Sequence, residues 1–511
     1  WLFLKSYQKQ REYLLKYATW NLLARLGEHG FDSTDAAGAF TILLTLTHAR
    51  PSEDQMLRGL DASAPKTPEE KAGILRCEAV LEVGQNGQLR NPDARVMLEE
   101  HDAGILLNSI SHSHHGLVCG DRPRMCVNFW ETDSKGDIWI EYSGTVVDST
   151  LFDGKHTYLR WQGGTGAIRE LKGATNLETH AWDKTGIVVS AMRKLPVTLY
   201  TGMAFDNNTA VITADNPAHL PAIWCFCSST EYNQAVREID QSLKVTNATL
   251  VKVPFDLPHW QKVAAERYPD GLPKPYSDDP TQWIFHGHPK PATDPLQVAV
   301  ARLLGYRWPA EKPLSPGPSP TKGRGEQDME LSDEARGWIA RCADLDGLID
   351  DDGIVCLPAV RGEPAAVDRL RALLARAFGG DWSAARESQL LRDAGCDGLP
   401  LAQWLRDKFF EQHVARFQKR PFLWHVWDGH KEGFSALVNY HLLTREKLNT
   451  LINLYLGDWI TQLRRAVDAG NSDATLKLAK AGALKAQLEA ILEGEPPYDI
   501  FVRWKPLHQQ P

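Results

Sequence analysis

The chain has 511 residues, which is enough for about three domains of ordinary size. Hydrophobic residues make up 43 % of it and charged residues 24 %, as in typical globular proteins. No apolar run approaches the ~20 residues of a spanning helix, which excludes a membrane-embedded protein. The net charge of -8 excludes a uniformly basic surface but allows a basic cleft. Eight dispersed cysteines and the lack of a signal-peptide pattern predict reduced thiols and a cytoplasmic location.

Residues 1–50 are predicted to form a helix over about 3–17, a strand over 20–26, a loop and a second strand over 39–47. The second run alternates apolar side chains with period 2 and is apolar enough for a mostly buried strand. The loop between the strands contains Phe31. Its ring either closes the end of the sheet or is available to a ligand.

Residues 51–115 are predicted to be a helical connector, with helices near Thr67–Leu81 and Ala94–Ile110. Thr67 followed by Pro68 is typical of a capped start for the first of these helices. Residues 116–260 are predicted to be a mixed, mainly β domain because short β-rich runs alternate with turn signals. These runs are 124–130, 138–142, 186–189, 195–200 and 210–213.

Residues 261–329 are predicted to be a loop-rich linker, and their Pro- and Gly-rich stretch 313–326 has too few apolar side chains to join a core. Residues 330–511 are predicted to be mainly helical. An aromatic stretch at 421–441 precedes a helix capped by Thr444, and a second helix over 472–493 ends at Gly494. Packing against this helical hairpin is favoured for Trp424, Trp427 and Trp459 over stacking on bases.

Several stretches resemble one family. The pattern Leu-x6-Arg-x2-Leu-Leu at 4–15, followed by a strand, a loop phenylalanine and a strand, resembles the end of the catalytic domain of adenine-specific DNA methyltransferases. Gly-Asp-x-x-Arg at 120–124 and the segment 242–255 are similar to parts of the target-recognition domains of these enzymes. The stretches 420–429, 433–441 and 456–460 resemble large methyltransferases of BREX or DISARM phage-defence systems and single-chain restriction–modification enzymes.

The resemblance implies an α/β fold class: the tail of a class I methyltransferase sheet in 1–50, a target-recognition domain in 116–260 and a helical carboxy-terminal region. It also implies S-adenosylmethionine as cofactor, double-stranded DNA and other defence proteins as partners, and Phe31 as the ring that stacks on a flipped adenine.

The Asn/Asp-Pro-Pro-Tyr/Phe motif that holds the adenine amino group has only one near match, at 495–498. There a glutamate replaces the polar residue and a helix precedes it, so we reject this match. The catalytic and cofactor residues are therefore expected upstream of Trp1, and no catalytic residue is assigned in this chain. Two alternatives stay open: a non-catalytic DNA-specificity or scaffold subunit, and a restriction enzyme with a nuclease domain further upstream.

Candidate DNA contacts are basic residues of the β-rich domain, since arginine can read guanine edges and lysine mostly contacts phosphate. They are Arg160, Arg193, Lys194, Lys244 and Lys252. For each of them the alternative is ordinary surface charge.

No metal site is predicted. The histidines at 112, 114 and 115 fit no zinc spacing and favour a polar loop. Cys225 and Cys227 are predicted to be buried thiols on one face of a strand. The acidic run 344–353 lacks the final glutamate of a calcium loop and favours a solvated turn.

Overall fold

The structure is a computed structural model that describes residues 5–31, 39–98, 105–133, 136–312 and 330–494. The chain divides into two compact units, each assembled from segments that are separate in sequence. The first unit comprises Trp1–Val118, Thr145–Leu151 and Asn176–Pro273, and the second Cys119–Gly144, Phe152–Thr175 and Lys274–Pro511. The chain is thus mixed α/β with several small sheets and a helical carboxy-terminal region. The functional boundaries drawn from the sequence stay predictions.

The first unit begins with a helix and a four-stranded sheet. A short 3-10 turn leads into α1 (Gln8–Tyr17), and the strands are β1 (Thr19–Gly27), β2 (Thr41–Thr47), β3 (Met56–Asp61) and β4 (Leu81–Gly84). Their order is β2-β1-β3-β4, with β1 antiparallel to β2 and parallel to β3. The predicted succession of helix, strand, loop and strand is confirmed. Helix α2 (Pro68–Cys77) connects β3 to β4, and the predicted Thr67 cap accepts the Glu70 N–H.

One side of this sheet is covered by α1 and by the segment after β4, around a core that includes Leu15, Trp20 and Leu57. The buried Gln85 side chain joins α1 to β1: it accepts the Trp20 N–H at 2.9 Å and donates to the carbonyls of Leu15 and Ala18. By contrast, β2 is largely exposed, and Leu43 keeps 53 % of its surface accessible. The prediction of a mostly buried strand is wrong because β2 is the sheet edge, with a strand neighbour on one side only.

A second, antiparallel sheet of the first unit has the order β10-β9-β12-β5. The strands are β5 (Ser111–His115), β9 (Gly186–Ser190), β10 (Val197–Tyr200) and β12 (Thr209–Ala214), and a short β11 (Ala204–Phe205) precedes the last. The predicted strand runs at 186–189, 195–200 and 210–213 are confirmed. The three histidines at 112, 114 and 115 lie in β5 rather than in a loop, since pairing with β12 accommodates their side chains at a sheet edge.

Three helices complete the first unit: α4 (Leu220–Cys227), α5 (Thr230–Ile239) and α6 (Leu257–Arg267). Cys225 and Cys227 are buried, as predicted, but they lie in α4 and not in a strand. The periodicity of such a short apolar run does not distinguish a helix from a strand. Burial raises the pKa of both thiols. All eight cysteines are free, and Cys77, at the end of α2, is exposed.

The helix predicted over 94–110 is wrong for the described residues, 94–98 and 105–110, which hold only a 3-10 turn at Leu107–Ser109. Asp93 and Ala94 have φ values of +55° and +51°, which a right-handed helix does not allow. The Asn91 side chain donates to the Arg95 carbonyl at 2.8 Å and fixes this irregular bend.

The second unit contains β6 (Cys126–Asn128), β7 (Trp139–Ser143) and β8 (Thr157–Arg160), and β8 pairs antiparallel with both of the others. The short helix α3 (Arg122–Met125) leads into β6. The run predicted at 138–142 is confirmed as β7. The run predicted at 124–130 is a strand only at its centre, because Asp121 caps α3 before it and a 3-10 turn, Phe129–Glu131, follows it.

The remainder of the second unit is mainly helical, as predicted for 330–511. Its helices are α7 (Pro295–Leu303), α8 (Asp333–Cys342), α9 (Ala366–Phe378), α10 (Ala384–Asp393), α11 (Leu401–Asp407), α12 (Phe409–Arg416), α13 (Arg445–Thr450), α14 (Leu456–Asp468) and α15 (Ser472–Glu493). A sheet of order β13-β15-β14 lies among them, formed by β13 (Ile354–Cys356), β14 (Leu423–Trp427) and β15 (Ser435–Asn439). The stretch 313–326 lies outside the described residues.

The helical hairpin of α14 and α15 is confirmed, with Thr444 capping α13 and Gly494 ending α15 at φ +72°. A π-helical turn, Leu451–Tyr455, joins α13 to α14. Trp459 lies against the hairpin core as predicted. Trp424 and Trp427 do not: they keep 42 % and 52 % of their surface exposed because β14 is an edge strand.

The acidic run before β13 is exposed at Asp344, Asp346 and Asp351, as predicted, but not at Asp350. The Asp350 carboxylate is buried, and one oxygen accepts the N–H groups of Asp352, Gly353 and Ile354 at 2.8–3.1 Å. The other oxygen pairs with Arg369 at 2.8 Å. A buried carboxylate needs such partners to offset its lost hydration. Because these partners include the N–H of Ile354, the Asp350 carboxylate fixes the start of β13.

His413 is fully buried as a neutral ring. Its Nδ1 lies 3.2 Å from the Gln297 amide oxygen, and its Nε2 accepts the Leu423 N–H at 3.3 Å. Burial lowers the pKa of His413 from 6.5 to about 3. Between pH 6.5 and about 3, His413 is therefore protonated in the unfolded chain but neutral in the folded one. Its contribution to the free energy of unfolding decreases as the pH falls through this range.

We expect His413→Gln to reduce by one the number of protons that the chain takes up when it unfolds at acidic pH. Between about pH 6 and 4 the free energy of unfolding should fall less steeply in the variant, by ~1.4 kcal/mol per pH unit. Urea titrations at several pH values measure the slope. Equal slopes in wild type and His413→Gln would contradict the assignment of a neutral buried ring.

Candidate nucleic-acid interface

Phe31 lies beyond the end of β1, in the connection towards β2. The connection starts at Gly27, whose φ of +63° suits glycine, and the Thr41 hydroxyl donates to the Gly27 carbonyl at 3.2 Å. The Phe31 side chain is 54 % exposed. Residues 32–38 of the connection lie outside the described part of the chain. An aromatic ring is thus presented to solvent at the carboxyl end of β1.

Lys71 of α2 fixes the backbone at the same end of the sheet. Its buried ammonium group donates to the carbonyl oxygens of Leu26 at 2.7 Å and Ala62 at 3.0 Å, the residues at the ends of β1 and β3. Burial lowers the pKa of Lys71. In sheets with parallel strands the carboxyl ends are the usual place for ligands, and here one charged side chain holds two of these ends together.

A cavity of about 320 Å³ opens beside the carboxyl ends of β1 and β3. Arg25 of β1 lines it, donates to the Val96 carbonyl at 2.6 Å and lies 3.6 Å from the Asp61 carboxylate. The other lining residues are Leu81, Met97, Leu98, Gln234, Arg237, Glu238 and Gln241. The volume is at the lower end of the range for small-molecule sites and the lining is mixed polar and apolar, which suits a planar heterocycle.

Three of the predicted DNA contacts come together in the first unit. Arg193 and Lys194 form the tight turn between β9 and β10, where Arg193 has a φ of +56°. Lys244 lies beside them because its backbone bridges to Met192, and its ammonium group donates to the Asn208 amide oxygen at 3.0 Å. All three side chains are exposed. We call Arg193, Lys194 and Lys244 the basic turn cluster.

Arg237 of α5 connects the basic turn cluster with the cavity. Its guanidinium group donates to the backbone carbonyl of Arg193 and also lines the cavity. Burial lowers the pKa of Arg237, and Asp240 opposes that shift. Arg237, Arg25 and Lys71 are not recognisable as site residues from the sequence, because each gains its role from partners that are distant along the chain.

The other two predicted DNA contacts lie elsewhere. Lys252 is partly buried and pairs with Asp93 at 2.6 Å, so this carboxylate already occupies its ammonium group. Arg160, at the end of β8, belongs to the second unit and lies opposite Trp139 of β7. Their contacts with DNA stay predictions. The near-motif at 495–498 lies outside the described residues.

Among the residues that the structure describes, no group of three or more His, Cys, Asp or Glu side chains is arranged to hold a metal ion. Within the same ranges, no helix is both long and apolar enough to cross a membrane.

Comparison with solved structures finds distant neighbours, and one of them is a restriction-modification enzyme. No protein-family model matches the sequence, and no curated protein matches it. A structure of the Type IIL restriction-modification enzyme MmeI, solved in complex with DNA, matches 50 % of this chain and 39 % of its own chain. The identity is 12 % and the TM-score 0.29. The matched part thus spans well under half of that enzyme, and a likeness this distant assigns no activity to the present chain.

Proposed function

We propose that this chain is part of an S-adenosylmethionine-dependent DNA adenine-N6 methyltransferase of the phage-defence or restriction–modification kind, acting in the cytoplasm. The observation that carries the proposal is the exposed Phe31 ring between antiparallel β1 and β2. It agrees in position with the methyltransferase ring that stacks on a flipped adenine.

The surroundings of Phe31 favour a base as its ligand. A base removed from the DNA stack needs an aromatic or apolar surface to replace its lost neighbours. The cavity beside Arg25 and Asp61 opens at the same end of the sheet and offers polar groups for the edge of a heterocycle. The basic turn cluster belongs to the same unit and supplies charge for phosphate contacts.

In this proposal, the residues that bind the cofactor and the Asn/Asp-Pro-Pro-Tyr/Phe motif lie upstream of Trp1. No glycine-rich strand–turn–helix occurs in the sequence where the cofactor would need it, so these residues by themselves do not fit S-adenosylmethionine. The cofactor supplies the methyl group. In this proposal the present residues hold the base and the DNA backbone.

The test is methylation by the polypeptide of the complete reading frame. With tritiated S-adenosylmethionine and duplex DNA of random sequence, we expect label in N6-methyladenine, and we expect the upstream frame to encode the Asn/Asp-Pro-Pro-Tyr/Phe motif. Binding of DNA without incorporation would favour the alternative, a specificity or scaffold subunit of a defence complex. A frame that lacks both the motif and a cofactor loop would remove the methyltransferase assignment.

A further inference from the structure

Two tryptophans of the second unit are exposed on one short edge strand. Trp424 and Trp427 belong to β14, which within the described part of the chain pairs with β15 alone. They are three positions apart, so their rings lie on opposite faces of the strand. Tryptophans are enriched where proteins bind other molecules, because a large ring buries much area with few torsions to fix.

Neighbouring aromatic side chains surround these rings. Trp424 lies 6.3 Å from Phe410 and 6.3 Å from Tyr440, measured between ring centroids. The Trp427 ring is 6.2 Å from that of His425, at an interplanar angle of 23°. Each indole is therefore held beside other rings while one side stays open to solvent.

The charge around β14 is positive, although the whole chain carries -8. Exposed Lys419 and Arg420 lie in the turn before the strand, and exposed Lys431 follows it in the hairpin loop. The turn at 418–420 has a fixed backbone: Lys419 has a φ of +61°, and the Trp130 indole donates to the Arg420 carbonyl at 3.0 Å. Cations thus flank both ends of a strand that spans roughly 17 Å.

The nearby carboxylates already have partners. Asp407 is paired with both nitrogens of the Arg406 fork at 2.7 and 2.9 Å, and Glu411 with Lys408 at 3.1 Å. Asp428 accepts the N–H groups of His430 and Phe434 at 3.0 and 2.8 Å. Glu432 pairs with Lys477 at 3.4 Å. Arg420 is itself paired with Glu131 at 3.6 Å, so exposed Lys419 and Lys431 supply the further positive charge near the rings.

We propose that β14 and its two flanking loops bind a single-stranded segment of nucleic acid. Bases stack on Trp424 and Trp427, one on each side of the strand edge, and the phosphates contact Lys419 and Lys431. Aromatic rings with flanking cations are the combination that binds single strands regardless of sequence. Duplex DNA hides the faces of its bases, so it gains only the phosphate contacts. The site belongs to the second unit and does not depend on the proposed methylation.

The experiment measures binding of the full chain to a fluorescein-labelled 20-mer of thymidine and to a labelled 20-bp duplex at 50 mM salt. We expect Trp424→Ala and Trp427→Ala each to weaken binding of the single strand about 10-fold, with the duplex little affected. Trp427→Phe should retain most of the affinity. Leu476→Ala, which removes an equally exposed apolar side chain from α15, is the matched control and should change nothing.

A charge-reversal variant, Lys419→Glu with Lys431→Glu, gives an independent readout. It should weaken binding of the single strand. The slope of log Kobs against log salt concentration should become less negative by about 1.4, the change expected for two lost phosphate contacts. Circular dichroism verifies that the variants fold. The proposal is overturned if the wild-type chain does not bind the single strand, or if alanine at both tryptophans leaves binding unchanged. It is also overturned if these variants lose affinity for an extended peptide and not for the oligonucleotide.

Discussion

Under the proposed function, replacing Phe31 by alanine is expected to slow adenine methylation by the full-length protein by about 10- to 100-fold. Stacking on an aromatic side chain contributes about 1–3 kcal/mol per base, and 1.4 kcal/mol corresponds to a factor of ten. The loss should appear in kcat/KM for duplex DNA, because the base must leave the helix before it reacts. Affinity for duplex DNA should change less than twofold, since the basic turn cluster is intact.

The structure offers close controls for this measurement. Phe40→Ala removes another exposed phenylalanine from the same β1–β2 connection and should leave methylation unchanged. Phe31→Trp keeps a stacking surface and should restore most of the rate. Normal methylation by Phe31→Ala would show that the ring has only a structural role, whereas a parallel loss of DNA binding would place Phe31 in general DNA contact.

The second large effect is expected on stability. Arg95→Met should reduce the free energy of unfolding of the first unit by about 3–5 kcal/mol, since breaking a buried ion pair leaves charges without compensation. The Arg95 guanidinium group is buried between the carboxylates of Asp93 and Asp240, 3.7 Å from each. It also donates to the Ile239 carbonyl at 3.2 Å and to the Thr249 hydroxyl at 2.9 Å.

The matched control is an ion pair at the surface. Arg58 pairs with Glu82 at 2.9 Å across β3 and β4, but both side chains are about half exposed or more. Arg58→Met should therefore cost less than ~1 kcal/mol. Urea unfolding followed by circular dichroism measures both variants. Equal effects at the two positions would mean that solvent reaches the Arg95 network.

Local patterns predict much of the fold of this chain. Short β-rich runs bounded by turn signals place β1, β7, β9 and β12 correctly, and capping residues place α2, α13 and α15, because these signals act within a few residues. Burial depends on neighbours in space. The edge positions of β2 and β14 decide that Leu43, Trp424 and Trp427 are exposed, and no local pattern indicates which strand becomes an edge.

The candidate site is predicted only in part, for the same reason. Phe31 and the basic turn cluster are visible in the sequence as an aromatic residue in a loop and charges at a turn. Arg25 and Arg95 read as ordinary polar residues, since their partners Val96 and Thr249 are 71 and 154 positions away. Buried charged groups need such distant partners, so their roles emerge only in the folded chain.

The exposure of the cysteine thiols differs enough to allow a fluorescent reporter to be attached at one position. Cys77 is exposed on the last turn of α2, Cys126 is half-buried, and the other six thiols are buried. A maleimide dye will therefore react first at Cys77, on the helix whose Lys71 holds the ends of β1 and β3. Its emission can report on the arrival of an oligonucleotide at that end of the sheet without any engineered cysteine.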